Sequence, residues 1–385
     1  MERFALSRMK EWKENENRKP LIIRGARQVG KTWIMKTFGQ QYFEKTAYVN
    51  FDNNARMKQV FEGDLDIERL VLSISAETGV SIEAENTLII FDEVQEVPKA
   101  LTSLKYFYEN APQYAIVAAE SLLGVALHQG TSFPVGKVDF LDLYPLNFRE
   151  FLCAMGEKQF VSMLDSCDTQ MVTVFKTKYI ERLREYYFVG GMPEVVKDFS
   201  EKKDYNRVRA IQKNLINYYQ QDFSKHAEIK LVPRLNLVWN SIPMQLAKEN
   251  KKYIYGQVRE GSRAKDFELA IQWLLDCGLI HKVQRIQKPD LPLKAYIDFD
   301  AFKLFLVDIG LLIAMTDLDA KVIIEGNKIF TEFKGSLTEQ YILQQLISDV
   351  GVIPYYYSTQ NSKGEIDFLV QGKTSVIPIE VKAEE

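Results

Sequence analysis

The sequence predicts an α/β protein whose first 150 residues form a parallel, three-layer domain, and three observations carry this. Leu21, Ile22 and Ile23 are a short apolar strand that runs into a glycine-bearing turn and then a helix with Trp33, Ile34, Met35 and Phe38 available for packing. Leu88, Ile89, Ile90 and Phe91 form a continuous apolar run closed by two acids, as in a parallel strand covered on both faces. Around these, "TAYVNFD" reads as a strand, "ALTSLKYFYEN" as a helix and "QYAIVAAES" as another strand. Strands and helices alternating at these spacings give a parallel sheet, with its site at the C-terminal strand ends.

Taken in order, the first strand leads into Gly25-Ala26-Arg27-Gln28-Val29-Gly30-Lys31-Thr32, which matches G-x-x-x-x-G-K-[ST] without a gap, and Trp33 follows. The spacing has a physical reason. The two glycines let backbone N–H groups turn inward around phosphates, the lysine reaches the β- and γ-phosphates, and the threonine hydroxyl binds Mg²⁺. Asp92 ends the second apolar run, where it would hold the metal with Thr32, and Glu93 stands next to it to polarise an attacking water. Lys31, Asp92 and Glu93 are therefore the candidate catalytic residues, Thr32 and Asp92 the candidate metal ligands, and ATP with Mg²⁺ the expected cofactors.

The composition is that of a globular protein of several domains: 385 residues, 46% apolar and 26% charged. A formal net charge of -3 excludes a basic nucleic-acid coat, so any DNA contact must be a local patch. Cys153, Cys167 and Cys277 are scattered and suggest neither a disulfide framework nor a zinc site. With no apolar stretch of signal-peptide or membrane-spanning length, the expectation is a cytoplasmic protein without a membrane partner.

"GARQVGKT", "YVNFDN", "FDEVQEVP", "SLLG", "SFPVGKVDFLDLYPLNFREF" and "YYFVGGMPEVV" follow one another here as in a family of prokaryotic AAA-type P-loop ATPases, and the chain resembles that family over nearly its whole length. Its members join the ATPase to a C-terminal domain of unknown function. The resemblance implies an AAA+-like core, ATP and Mg²⁺ binding, and ATP hydrolysis. The chain also departs from it. Relatives carry a small polar residue and glycine after the fourth strand, at a nucleotide-sensing position, whereas this strand ends Ala118-Ala119-Glu120-Ser121. Ser121 is left as the neutral polar sensor, and Glu120 adds negative charge near the expected phosphates. Relatives have arginine where this chain has Lys137, which supplies charge but not a bidentate fork. Arg149 is a second candidate for contact with the γ-phosphate.

The rest of the chain divides by pattern. Residues 151–230 read as a helical lid, including "TVFKTKYIERLREYYFVGG" with its glycine stop. Residues 231–320 read as a winged-helix-like domain: two helices, then a hairpin. Ser262 would cap the second helix and place Arg263 and Lys265 at its start. Lys248, Lys251, Lys252 and Arg259 precede it, interleaved with Tyr253 and Tyr255 as a candidate DNA face.

Residues 321–385 give one helix and three strands and resemble the start of the PD-(D/E)xK nuclease superfamily. Glu339 matches its helix-borne acid, Asp367 the acid of the second strand, and Glu380 with Lys382 the E-x-K of the third. Two carboxylates would bind a second Mg²⁺ or Mn²⁺ and the lysine would orient water. In that superfamily a further helix and strand follow, so a partial domain is expected here. The function read from the sequence is an Mg²⁺-dependent ATPase, acting as a switch or motor on a nucleic-acid or protein partner. The alternatives are a nucleotide-gated DNA-binding or regulatory protein with little turnover, or an ATP-dependent nuclease.

Overall fold

A computed structural model of the chain describes residues 2–121, 134–248, 251–324, 331–359 and 364–383. It divides into two compact units, one spanning Arg3–Tyr144 and the other Pro145–Glu385 together with the first two residues.

In the first unit, helix α1 (Ala5–Glu14) precedes β1 (Leu21–Gly25), α2 (Lys31–Tyr42), β2 (Lys45–Asn50), α3 (Ala55–Glu62), α4 (Ile67–Thr78), β3 (Thr87–Asp92), α5 (Pro98–Asn110), β4 (Ala115–Ser121) and β5 (Asp139–Asp142). The strands form one parallel sheet in the order β2-β3-β4-β1-β5. Every residue of β3 is buried, because the strand is paired on both sides and helices cover both faces. Phe51, Phe61 and Phe91 meet edge-on at centroid distances of 5.4 to 5.7 Å and anchor that core. The side chain of Asn54 caps α3, that of Asp66 caps α4, and Gly79 ends α4 with φ of 69°. Four of these strands are expected from the sequence. β5 is not, because its four residues Asp-Phe-Leu-Asp sit at the sheet edge and carry no apolar run.

The second unit opens with helices α6 (Phe148–Ala154), α7 (Lys158–Asp165), α8 (Thr169–Val174), α9 (Lys176–Val189), α10 (Pro193–Lys202) and α11 (Tyr205–His226). There follow α12 (Val232–Leu246), α13 (Tyr255–Val258), α14 (Ala264–Asp276), β6 (Ile280–Ile286), β7 (Ile297–Leu306), α15 (Ile309–Met315), α16 (Ala320–Ile324) and α17 (Thr331–Gln345). β8 (Tyr355–Ser358), β9 (Glu365–Gln371) and β10 (Val376–Ile379) complete it. The five strands form a single sheet, β10-β9-β8-β6-β7.

This corrects the division drawn at residue 320. The hairpin β6–β7, expected as the wing of one domain, pairs through Arg285 and Ile286 with Tyr356 and Tyr357 of β8, expected as part of another. An open strand edge takes a partner wherever one lies, and period-two patterning does not say which. A second correction concerns α14. It begins at Ala264, its cap position is Arg263 rather than Ser262, and Asp266 Oδ2 accepts from the Arg263 backbone N–H at 2.8 Å.

Two sequence motifs position this unit. Gly190 and Gly191 bring the end of α9 against Asp308: a β-carbon on Gly190 would lie 2.2 Å from Asp308 Oδ1, and the Gly191 N–H donates to Asp308 Oδ2 at 2.6 Å. Burial pushes the Asp308 carboxyl up to about 6, although backbone donors at Gly191 and Leu311 oppose the rise. The glutamines of α17 are the second motif. The Gln340 side chain binds both the N–H and the carbonyl of Leu306, and Gln344 accepts from the Ile309 N–H at 3.0 Å.

Candidate nucleotide site

β1 ends at Gly25, where a β-carbon would meet the Leu143 carbonyl at 2.2 Å, so the turn out of the strand admits only glycine. Ala26 and Val29 are buried, Arg27 is half-buried, and Gln28 is exposed in the left-handed region with φ of 65°. Gly30 takes φ of 95° and hands the chain to α2, whose first turn holds Lys31 and Thr32. Trp33, expected to pack, is instead 39% exposed on that first turn.

Lys31 is buried, and its Nζ donates to the carbonyls of Gly25 and Ala26 at 2.9 Å each. Burial lowers its pKa to about 8, with Glu93 and Asp92 acting in the opposite direction. The Thr32 hydroxyl donates to Asp92 Oδ2 at 2.7 Å and so joins the loop to the end of β3. Tyr48 of β2 donates to the same oxygen at 2.8 Å. The sequence reading missed Tyr48, although it lies two residues before the Asn50 that pairs with Asp92, on the sheet neighbour of that acid's strand. Glu93 follows with φ of 52°, a strained conformation for a non-glycine residue, and the Gln95 amide holds its carboxylate.

The donor set fits the expected cofactor. A threonine hydroxyl and a carboxylate in contact are hard oxygen ligands suited to Mg²⁺. The lysine is held on carbonyls that a phosphate could replace. Lys137, by contrast, pairs with Glu109 at 2.9 Å and is a surface salt bridge. In the second unit Arg149 pairs with Asp165, and with Asp349 at 3.1 Å. The Ser121 side chain and the "SLLG" stretch that it opens lie outside the described residues.

The C-terminal acids have a different setting. Glu339 of α17 is buried, paired with Lys251 and 3.5 Å from Lys303. Lys303 of β7 is 1% exposed and also pairs with Glu365 at 2.5 Å. Burial depresses Lys303, but Glu339, Glu365 and Asp367 outweigh it and hold the ammonium above its ordinary pKa. Burial raises the Glu339 carboxyl, with Lys303 and Lys251 opposing. Asp367 Oδ2 accepts from the Val381 N–H at 2.8 Å. The E-x-K pair is not on a strand, since β10 stops at Ile379 and leaves Glu380 and Lys382 exposed beyond it.

Among the described residues, no three His, Cys, Asp or Glu side chains gather in a group that could hold a metal ion. Two lysines from other elements stand among these acids instead. The signal for Lys303 was present, since it is a lone charge in the apolar run "AFKLFLV" and a buried lysine demands carboxylates. Lys251 and Tyr253 also leave the expected DNA face. Lys251 is bound to Glu339, and Tyr253 is buried and stacked on Phe302 at a centroid distance of 5.5 Å.

The parallel sheet and the loop with its Lys31, Thr32 and Asp92 define a P-loop NTPase domain. Comparison with known families sharpens this: residues 17–152 match the family described as AAA domain, so the first unit is an AAA-type P-loop ATPase domain. Residues 180–322 and 334–385 match two families each described as a domain of unknown function, DUF8612 and DUF4143. No curated protein matches the chain. Among solved structures, the Walker-type ATPase PABY2304 of Pyrococcus abyssi is 14% identical, with 82% of this chain and 95% of that one covered and a TM-score of 0.50, a likeness of fold. The Orc1 protein of Aeropyrum pernix in complex with DNA is 12% identical over 81% of this chain and 91% of that one, with a TM-score of 0.28. The RuvB Holliday junction branch migration motor of Thermotoga maritima is 11% identical over 72% and 87%, with a TM-score of 0.33. Among the described residues, no helix is long and apolar enough to cross a membrane.

Proposed function

We propose that the chain binds MgATP at Gly25–Thr32 and hydrolyses it, acting as a switch or motor on a nucleic-acid or protein partner. One observation carries the reading: the 2.7 Å bond from Thr32 to Asp92, which brings together the phosphate loop and the acid that ends β3. In this role Lys31 leaves the Gly25 and Ala26 carbonyls for the phosphates, as a cation freed from weak acceptors by stronger ones. Thr32 and Asp92 hold Mg²⁺, which when bound neutralises charge on the β- and γ-phosphates. Glu93, oriented by Gln95, accepts the proton of the attacking water.

Partner binding is assigned to the second unit, where Arg263 and Lys265 are exposed at the start of α14. The nuclease alternative is weaker, because Lys303 and Lys251 balance the acids that a metal would need.

Phosphate release by the wild type, Lys31→Ala and Glu93→Gln tests the ATPase. The wild type should turn over, and each variant should lose about a hundredfold or more. Wild-type turnover no faster than either variant would remove the enzyme reading and leave a nucleotide-gated binding protein.

A further inference from the structure

We propose that Glu120 is a proton-linked sensor of the nucleotide site, a carboxyl group that must carry its proton while Lys31 holds a polyphosphate. This rests on the ATP-binding reading above and adds a regulation to it. Glu120 is the penultimate residue of β4 and pairs in register with Arg24 of β1, so both side chains leave the same face of the sheet. It is 1% exposed, and neither of its oxygens has a hydrogen-bond partner among the described residues.

The charges that face it are Arg24 from β1 and Lys31 from the start of α2. Both are committed elsewhere. Arg24 donates twice to Asp142 of β5, at 2.9 and 3.0 Å, and lies over the Phe140 ring at 4.2 Å. Lys31 is held by the two loop carbonyls, and its remaining charged neighbours are Glu93 and Asp92 at the end of β3 and Arg27 in the loop.

A carboxylate buried without donors is disfavoured as an anion. Burial accordingly pushes Glu120 up to about 7, with Arg24 and Lys31 only partly offsetting it. A bound polyphosphate acts in the same direction twice: it adds negative charge beside the group, and it takes up the positive charge of Lys31. The protonated acid then has an O–H to donate to a phosphate oxygen, as a neutral hydroxyl or amide would from this strand end. Binding therefore takes one proton from solvent whenever the free protein has already lost it. The free carboxyl titrates near neutrality and the bound one higher. The Glu120 contribution to affinity is thus flat at lower pH and falls above neutrality, by up to about tenfold per pH unit, and the loss of the Lys31 proton near pH 8 adds to the fall.

The test is binding of the slowly hydrolysed analogue MgATPγS to the full chain from about pH 6.5 to about pH 9, read with the wild type, Glu120→Gln and Lys31→Ala. Wild-type affinity should fall by well over tenfold between pH 7.5 and 8.5, because Glu120 and Lys31 both lose protons there, while Glu120→Gln should fall only about threefold, through Lys31 alone. Calorimetry in buffers of different ionisation heat should show the wild type taking up close to one proton more than Glu120→Gln at about pH 8, since the share taken up by Lys31 is common to both. Equal pH profiles and equal proton counts for these two proteins would overturn the role of Glu120. The nucleotide site itself would still stand if Lys31→Ala alone loses binding. A wild type that binds at no pH would overturn the site reading and this proposal with it. Should Glu120→Gln fail to fold, the proton count of the wild type decides alone, and uptake at pH 8 of no more than about half a proton, the share of a Lys31 with pKa of about 8, rejects the proposal.

Discussion

At the scale of single residues, Asp92 is the point where three elements meet: one of its oxygens accepts from Thr32 of α2 and Tyr48 of β2 while its own strand is β3. The Tyr48 hydroxyl is held well above its ordinary pKa by burial and by Asp92, so it remains a donor at any pH the protein meets. With Thr32 turned to a bound metal, as the proposed function requires, Tyr48 would be the donor that still aims the carboxylate. Tyr48→Phe should therefore raise the Mg²⁺ concentration for half-maximal phosphate release roughly tenfold, as loss of an orienting partner of a metal ligand does. An Mg²⁺ titration of both proteins checks this, and an unchanged midpoint removes Tyr48 from the site. The loop itself was legible in the sequence because each position there has its own physical demand. Tyr48 was not, because a tyrosine on a parallel strand looks the same whether it packs or orients an acid.

At the scale of elements, the C-terminal acids show how pattern can be right about position and silent about partners. Helix α17 and strand β9 bring Glu339 and Asp367 into one electrostatic neighbourhood, since both act on Lys303 and Asp367 adds to the rise of the Glu339 carboxyl. What fills that neighbourhood comes from β7, some 36 residues before Glu339; the lone charge in an apolar run marks Lys303 as a buried lysine but does not say which acids it meets. Removing the lysine should show what it does. Lys303→Met leaves the buried Glu339 with Lys251 alone and the exposed Glu365 without its cation, and the loss should be about 3 kcal/mol of stability, the low end for a broken buried pair. Lys303→Met with Glu339→Gln should recover part of it, because the uncompensated charge is gone. Urea unfolding of the two variants against the wild type measures both. A single variant as stable as the wild type would mean that Lys303 does not hold this cluster together.

At the scale of the whole molecule, the sequence marked elements well and ownership poorly. The segments read as lid, winged helix and nuclease start exist as helices and strands, but they form one unit from Pro145 to Glu385 rather than three. Long-range pairing is responsible. β6 meets β8 across about 70 residues by the register of Arg285 with Tyr356, and α17 supplies hydrogen bonds to backbone that would otherwise end unpaired. A chain stopped at residue 320 tests this ownership. It keeps α6 to α15 and the hairpin β6–β7, yet loses α16, α17, β8, β9 and β10. The Leu306 N–H, the Leu306 carbonyl and the Ile309 N–H then lose Gln340 and Gln344. Each buried orphan costs about 1–3 kcal/mol, so three of them rival the roughly 5–15 kcal/mol that holds a typical domain together. The exposed edge of β6 adds a surface prone to aggregation. Limited proteolysis should therefore cut throughout residues 145–320 of the shortened protein while the intact chain protects them. Equal protection in both would restore the boundary at 320 and make the hairpin part of an independent domain.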